Sequence, residues 1–489
     1  MTRLRLPLTL VLLAVASLFG PELWNTLHAD FMARDPGPRG APVGAGTPIN
    51  GLTTDQFGFF EDGELRFIET ASVSGKLPGE QSVGLGPTFN GNQCASCHAQ
   101  PSIGGSSPSR TAYPNLGPNP QVALANLDGA TNTVPFFITQ DGPIREARFR
   151  YYLASNGTLS SQRDGSVHGA FTIQGRTDAT NVFGTSGGVQ TCRLAQPDFD
   201  QMNRLNNLST RIPTPFFGAG FIENIPEGTL AANLAANGAL KASLGISGHL
   251  NRDASDGTVS RFGWKAQDKS LQMFAAEAYN VEMGVSNEGF PGKRGYAPAP
   301  PPSSCLFNPT PEDHTNMSEE DTGPSVISDV VSFSNFMRFL DQPMPSCSGA
   351  GCPQDVQDGR SLFTSIGCAL CHTPSMKTTV SYYTSRLSNV QANLYSDLAV
   401  HHMGSGLSDD IVQGSAGPDE FRTAPLWGLG QRIFFLHDGR TADLVQAIQQ
   451  HSSSGNRSYP GSEANGVVNN YNHLSSSDQQ DLLNFLRSL

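Results

Sequence analysis

The chain has 489 residues, of which 37% are hydrophobic and only 15% charged, with 52 glycines and 34 prolines; this is material for one to three domains with long irregular connections, and it excludes a tight α/β repeat. A net charge of −12 argues against nucleic acid or anionic membrane as the main partner, because both repel an acidic surface. Such a surface suits docking to a basic redox partner.

Residues 1–29 open with Arg3 and Arg5 ahead of an apolar run from Leu6 to Phe19, the layout of an export signal cleaved between Ser17 and Ala29. The run is short for a membrane span, so a membrane tether is expected only if the signal stays uncleaved, and the chain is expected in the periplasm. Residues 30–50, including "DPGPRGAPVGAGTP", lack periodicity and predict a flexible lead-in. A first structured region spans 51–295; its strand candidates are "VPFFITQ" and "HGAFTIQG", and a helix follows Trp264. "YAPAPPPSS" opens a linker or long loop over 296–325. The second region, 326–489, predicts helices at "VISDVVSFSNFMRFLDQ", "DGRSLFTSIG", "TADLVQAIQQH" and "SSSDQQDLLNFLRSL". In the last of these Leu482, Leu486 and Leu489 share a face and a serine caps the start. The expected fold is mainly α with extensive coil.

Two segments carry chemistry: "CASCH" at 94–98 and "CALCH" at 368–372. In C-x-x-C-H two thiols add to the vinyl groups of haem and the adjacent imidazole ligates iron. A zinc half-site or a thioredoxin-like pair lacks the immediate histidine. Cys94, Cys97, Cys368 and Cys371 are therefore expected as covalent anchors of two c-type haems, with His98 and His372 as proximal ligands. A short helix is expected ahead of each motif, with "GLGPTFNGNQ" matching "GRSLFTSIG", and with Leu362, Phe363 and Ile366 facing the second haem. Cys192, Cys305, Cys347 and Cys352 are an even number in an oxidising compartment and predict two structural disulfides in any of three pairings, the alternative being a redox-active pair, Cys347 with Cys352.

Each motif is followed by a Pro-aromatic-Gly turn, "TPFFGAG" (214–220) and "APLWGLG" (424–430), then by a ring-bearing residue, Trp264 or His437, and a helix with leucine seven residues on. The halves read as diverged copies of one cytochrome c-like haem domain. On the second helix Leu444, Ile448 and His451 fall on one stripe, which makes His451 a candidate distal iron ligand. The matching position in the first half is Ala278, and Glu282 lies one turn further along. One iron is thus expected to be closed by His451 and the other left open beside Glu282, a candidate proton shuttle, with Trp264 a candidate electron relay. Against these stand a helix-terminal surface role for His451, with Met403, His401 or His402 as the sixth ligand instead; a solvated carboxylate at Glu282; and plain core packing for Trp264. His28, His168, His249, His314 and His473 show no constellation.

"GLGPTFNGNQCASCH", "RFGWKA", "EMG", "YSDLAVHHMG", "FRTAPLWGLG", "FLHDGRTADLVQAI" and "LLNFLRSL" together resemble the exported dihaem oxidoreductases, peroxidase-like proteins also called thiol oxidoreductases. These are similar to the wider superfamily of bacterial dihaem cytochrome c peroxidases and MauG. The resemblance covers about residues 50–489. It implies that peroxide reacts at the N-terminal haem, that the C-terminal haem feeds it electrons, and that Glu282 is the acid–base residue. Where this chain has His451 the peroxidases have methionine and MauG tyrosine, and a bis-histidine haem has a lower potential. His402 replaces an aspartate of the family pattern, and no histidine follows His98 closely enough to cap the first haem. The expectation is an exported dihaem c-type oxidoreductase using peroxide or dioxygen, with a small redox carrier protein or quinol-linked cytochrome as donor. The alternatives are a pure electron-transfer dihaem cytochrome and a dihaem oxygenase acting on an organic substrate. An inter-domain Ca²⁺, present in related peroxidases, is left open.

Overall fold

Two sets of helices build two hydrophobic cores. In the computed structural model, which describes residues 32–40, 42–75, 80, 83–108, 118–178, 191–292, 294, 300–314 and 326–489, helices α1 (Thr54–Ile68), α2 (Leu271–Met283) and α3 (Asp329–Phe339) enclose the larger core. Helices α4 (Gln354–Ser365), α5 (Leu444–Gln450) and α6 (Ser476–Ser488) enclose the smaller. Among the described residues there are thirteen α-helices, and 32% of these residues are helical against 11% strand, so the fold is mainly α with extensive coil. The export signal of residues 1–29 lies outside the described residues. No helix among the described residues is long and apolar enough to cross a membrane.

Local sequence starts these helices. Thr53, Ser270, Ser328, Asp443 and Ser475 each accept a hydrogen bond from the backbone N–H three residues on, which satisfies a donor that the first turn leaves orphaned.

The two cores are cut to the same pattern. Gly63 of α1 lies so close to α3 that a Cβ there would come within 2.3 Å of the Ser332 carbonyl and 2.8 Å of Phe336 Cβ. Gly359 of α4 meets α6 in the same way, with the Asp481 carbonyl at 2.0 Å and Phe485 Cβ at 2.8 Å from such an atom. One turn beyond each glycine a phenylalanine faces the histidine of a C-x-x-C-H motif. Phe67 lies 5.9 Å from His98 between ring centroids, and Phe363 lies 6.4 Å from His372.

Short strands set the polar wall between the cores. Strand β1 (Glu146–Phe149) is the centre of an antiparallel sheet, flanked by β2 (Val167–His168) and β3 (Leu208–Arg211), with Glu146 opposite Arg211 and Arg148 opposite Ser209. Strands β4 (Val400–His402) and β5 (Glu420–Arg422) pair with His402 opposite Glu420.

Several expectations need correction. "VPFFITQ" forms no strand, since Pro135 lacks a ladder donor and a turn follows. "HGAFTIQG" holds only the end of β2 and a two-residue strand at Phe171–Thr172, divided at Gly169, where the Phe89 backbone presses in. No helix directly precedes the first motif: Thr88–Phe89 is extended, and α1, much earlier in the chain, does the work that α4 does for the second motif. Of Leu362, Phe363 and Ile366, only Phe363 lines the second cavity described below. The lead-in is held in place, because Asp35 pairs with Arg487 at 2.6 Å and accepts from the Leu444 N–H at 2.8 Å. The expected boundary near 326 cuts across packing, since α3 buries Val330, Phe333, Phe336 and Met337 in the first core. The described part of the linker is likewise packed down: Cys305 bonds to Cys192, and the Asp313 carboxylate caps α3 by accepting from the Asp329 and Val330 N–H groups at 2.9 Å. The second disulfide joins Cys347 and Cys352.

Candidate functional site

Each C-x-x-C-H motif opens onto its own cavity. The first, of about 150 Å³, is lined by Cys94, Cys97, His98, Ala278 and Glu282. The second, of about 220 Å³, is lined by Cys368, Cys371, His372, Leu444, Ile448 and His451. Trp264 lines both.

The three candidate ligand histidines share one device. His98 Nδ1–H donates to the Gly105 carbonyl at 2.9 Å, His372 Nδ1–H to Tyr395 at 3.0 Å, and His451 Nδ1–H to Ala447 at 2.7 Å. A carbonyl on Nδ1 fixes the ring and its tautomer and reserves Nε2 for a metal. Burial pushes the His98 and His372 imidazoles down to about 4, the second with help from nearby His451, and burial lowers His451 too. All three are therefore neutral at pH 7, as iron ligation requires.

The rival sixth ligands are placed differently. Both ring nitrogens of His401 face carboxylates, Glu463 at 2.7 Å and Asp397 at 3.1 Å, which hold it as a buried imidazolium. His402 is paired with Asp419 and Glu420 and does not line the cavity. Met403 does line it. Among the described residues one trio of metal-capable groups comes together, Cys371, Asp397 and His401, but its sulfur belongs to the second motif.

The second cavity also fits a carboxylate-bearing guest. Arg422 and Arg432 both line it, and burial pushes both guanidinium groups down to about 10, Arg422 with added repulsion from Arg432. No carboxylate pairs with either among the described residues; Arg422 Nε donates only to the Gly263 carbonyl, at 2.8 Å. Two enclosed cations without an anion are costly, and the two propionates of a haem would neutralise them. The thiol pairs, the reserved imidazole nitrogens and these arginines together fit haem.

A ring stack and a chain of buried charge join the cavities. The Trp264 ring meets His437 edge-on at 6.4 Å, and His437 stacks on Phe421 at 4.3 Å. Trp264 Nε1 donates to the Ile212 carbonyl at 2.8 Å, and its own carbonyl accepts from the Arg422 N–H. Beside it Lys265, with no exposed surface, donates to the Gly417 and Glu420 carbonyls at 2.9 and 2.7 Å and pairs with Asp409 at 3.1 Å. Asp409 also pairs with Arg211 at 2.6 Å, and despite burial these two cations hold its carboxyl well below the usual range.

Glu146 and Arg148, on β1, line the first cavity with Glu282, and the sequence reading missed both. Their signal was the stretch "REARFR", where charges alternate with apolar residues on a strand whose flanks are hydrophobic. The charged face of such a strand is ordinarily taken for the solvent face.

A family model described as "Di-haem oxidoreductase, putative peroxidase" matches residues 170–489, a span that holds Trp264, Glu282, the second motif and His451 but not the first motif. Among solved structures the chain is similar to a MauG-like protein associated with microbial copper homeostasis, at 16% identity and TM-score 0.24 over 35% of this chain and 55% of that one. It is similar to Kuenenia stuttgartiensis hydrazine synthase at 13% identity and TM-score 0.33, over 93% and 97% of the two chains. The diheme peroxidase BthA from Burkholderia thailandensis E264 matches at 12% identity and TM-score 0.26, over 47% and 65%. The chain spans about half the length of the MauG-like structure, and at these TM-scores the three likenesses carry no argument for function. No curated protein matches it.

Proposed function

This chain belongs to the di-haem oxidoreductase family, whose members carry two haems, and from that premise we propose that it is an exported, peroxidase-like enzyme with one closed and one open iron. Cys94 and Cys97 would anchor one haem covalently and Cys368 and Cys371 the other, with His98 and His372 as proximal ligands. A c-type haem supplies one-electron redox chemistry and, where an axial position is open, a place for peroxide or dioxygen to bind. His451 would hold the iron on the His372 side together with His372. Ala278 stands at the corresponding place on the His98 side and offers no ligand atom. Glu282 holds a proton for the departing oxygen of peroxide, and Trp264 carries electrons across the wall between the cavities.

The observation that carries this reading is the pairing of His372 with His451 on one cavity, both with Nδ1 tied to a backbone carbonyl, against Ala278 and Glu282 on the other. Internal duplication fits the same scheme: Gly63, Phe67 and Phe336 match Gly359, Phe363 and Phe485, and the aligned Trp264 and His437 touch. On this view α3 completes the first haem unit. Two disulfides agree with the periplasm, an oxidising compartment. The acidic chain would take electrons from a small basic carrier or a quinol-linked cytochrome.

Electron paramagnetic resonance and optical spectra of the ferric protein test the reading. We expect one high-spin haem that responds to peroxide beside one low-spin bis-histidine haem. His451→Ala should convert the low-spin signal. Two low-spin haems indifferent to peroxide would leave only an electron-transfer cytochrome.

A further inference from the structure

Glu146 and Glu282 reach the first cavity from different elements. Glu146 begins β1, and Arg148, two residues on, shares its strand face, so both side chains point into the same wall. Arg148 Nε–H donates to Glu146 Oε1 at 2.7 Å, and Arg148 Nη1–H donates to the Gly165 carbonyl at 3.0 Å. Glu282 comes from the last turn of α2, where its backbone carbonyl accepts from the Asn90 and Gly91 N–H groups at 2.7 and 3.1 Å. Its carboxyl lines the same cavity as that of Glu146 and lies within its reach.

Two carboxyl groups within reach of each other inside a protein do not both ionise. Which one keeps the proton is decided by the cations around them. Arg148 contacts Glu146 directly and holds it low against the pull of burial, with Arg211 adding to the effect. Among the described residues no cation pairs with Glu282; burial and the Glu146 charge raise it well above the usual carboxylate range. The other charged groups facing this wall are Arg294, which donates to the Val167 carbonyl, and the carboxyls of Glu277 and Asp268, themselves in contact.

We propose that Glu146 and Glu282 form a single acid pair holding one proton and one negative charge, in which Glu146, anchored by Arg148, keeps Glu282 protonated. Glu146 is a positioning residue, since it acts through Glu282. The pair deepens the peroxidase reading and, in its use, rests on it. Reduction of peroxide follows H₂O₂ + 2 H⁺ + 2 e⁻ → 2 H₂O. As the O–O bond breaks, Glu282 supplies one of the two protons to the leaving oxygen, and solvent supplies the other and then reloads the pair. The two electrons come from the reduced donor protein. A pair that stores one proton while carrying one negative charge needs no second ionisation in this enclosed site, which makes it fit for repeated use.

The experiment is infrared spectroscopy of the ferric holoprotein across pH, reading the C=O stretch of a protonated carboxyl. Wild type should show the band at neutral pH, with a share from the Asp268–Glu277 contact, and Glu282→Gln should remove the Glu282 share, read in the wild-type minus variant difference spectrum. Glu146→Gln removes the neighbouring charge, so the band should titrate about one pH unit or more lower, and Glu146→Asp should restore the wild-type titration. Arg148→Gln, which keeps both carboxyls, should move the titration upward and serves if Glu146→Gln fails to fold. In peroxide decay the alkaline limb of the rate profile should shift in parallel. A band that Glu282→Gln leaves unchanged, or whose Glu282 share ignores both Glu146→Gln and Arg148→Gln, overturns the pair. If wild type consumes no peroxide while the band shifts as expected, the peroxidase reading falls and the pair stands.

Discussion

Asp409 shows how much one buried residue can hold. It has no exposed side-chain surface, and among the described residues it is the one carboxylate in contact with both Arg211 and Lys265, which come from the first structured region. Removing one member of a buried ionic cluster strands the others, at a cost of about 3–5 kcal/mol. Asp409→Asn should therefore lower the unfolding free energy in urea by that order. The pH dependence has a definite sign: its folded pKa lies below the unfolded value of 3.8, so its contribution is fully present above that pH and is lost as the pH falls further. Wild type should lose stability on acidification more steeply than Asp409→Asn; equal slopes would remove Asp409 from the account. Nothing in "LSDDIVQ" marks this residue, because its partners lie about 150 and 200 positions away.

At the scale of elements, each helix pair depends on a residue with no side chain. Gly63→Ala and Gly359→Ala would each drive a methyl group into a backbone carbonyl of the facing helix, and overpacking of this kind costs about 1–3 kcal/mol. Thermal melts should fall for both variants, while Gly58→Ala, in open space on α1, should leave the melt unchanged or raise it. This pattern was legible, for "DGELRF" (62–67) and "DGRSLF" (358–363) share Asp-Gly and a phenylalanine four residues after the glycine. It was overlooked because the first copy lies far ahead of its "CASCH" motif whereas the second almost touches "CALCH". The helices themselves followed from periodicity and caps, and α3, α4, α5 and α6 all form where the pattern put them. The strands did not: β1 and β3 carry charge on an enclosed face, and alternation alone does not say which face is enclosed.

Over the whole molecule, the two disulfides work on very different lengths of chain. Cys192–Cys305 joins residues 113 apart and ties the segment before α3 to the first core, whereas Cys347–Cys352 joins residues 5 apart. Loop-closure entropy makes the long bridge the more stabilising, by about 3 kcal/mol. Replacing Cys192 and Cys305 together with serine should lower the denaturation midpoint clearly, and replacing Cys347 and Cys352 should lower it less; the reverse order would mean that the short bridge guards something other than chain entropy. At this scale also stands Trp264, whose ring faces both cavities and is locked by Ile212 on one side and Arg422 on the other.

The sequence by itself determined which short-range chemical patterns the chain carries. Two C-x-x-C-H motifs, an even set of remaining cysteines and a histidine on a helical stripe are all short-range patterns, and bond lengths and helix period fix what such patterns can do. Only the tertiary structure decided which groups meet across the chain: Glu146 with Glu282, Lys265 and Arg211 with Asp409, and Trp264 with His437. Those contacts depend on how distant segments pack, and charge desolvated by packing acquires its meaning from neighbours that local sequence does not name. His451 belongs to both accounts, because its position on the helix was readable from period alone while its pairing with His372 across one cavity required the folded chain.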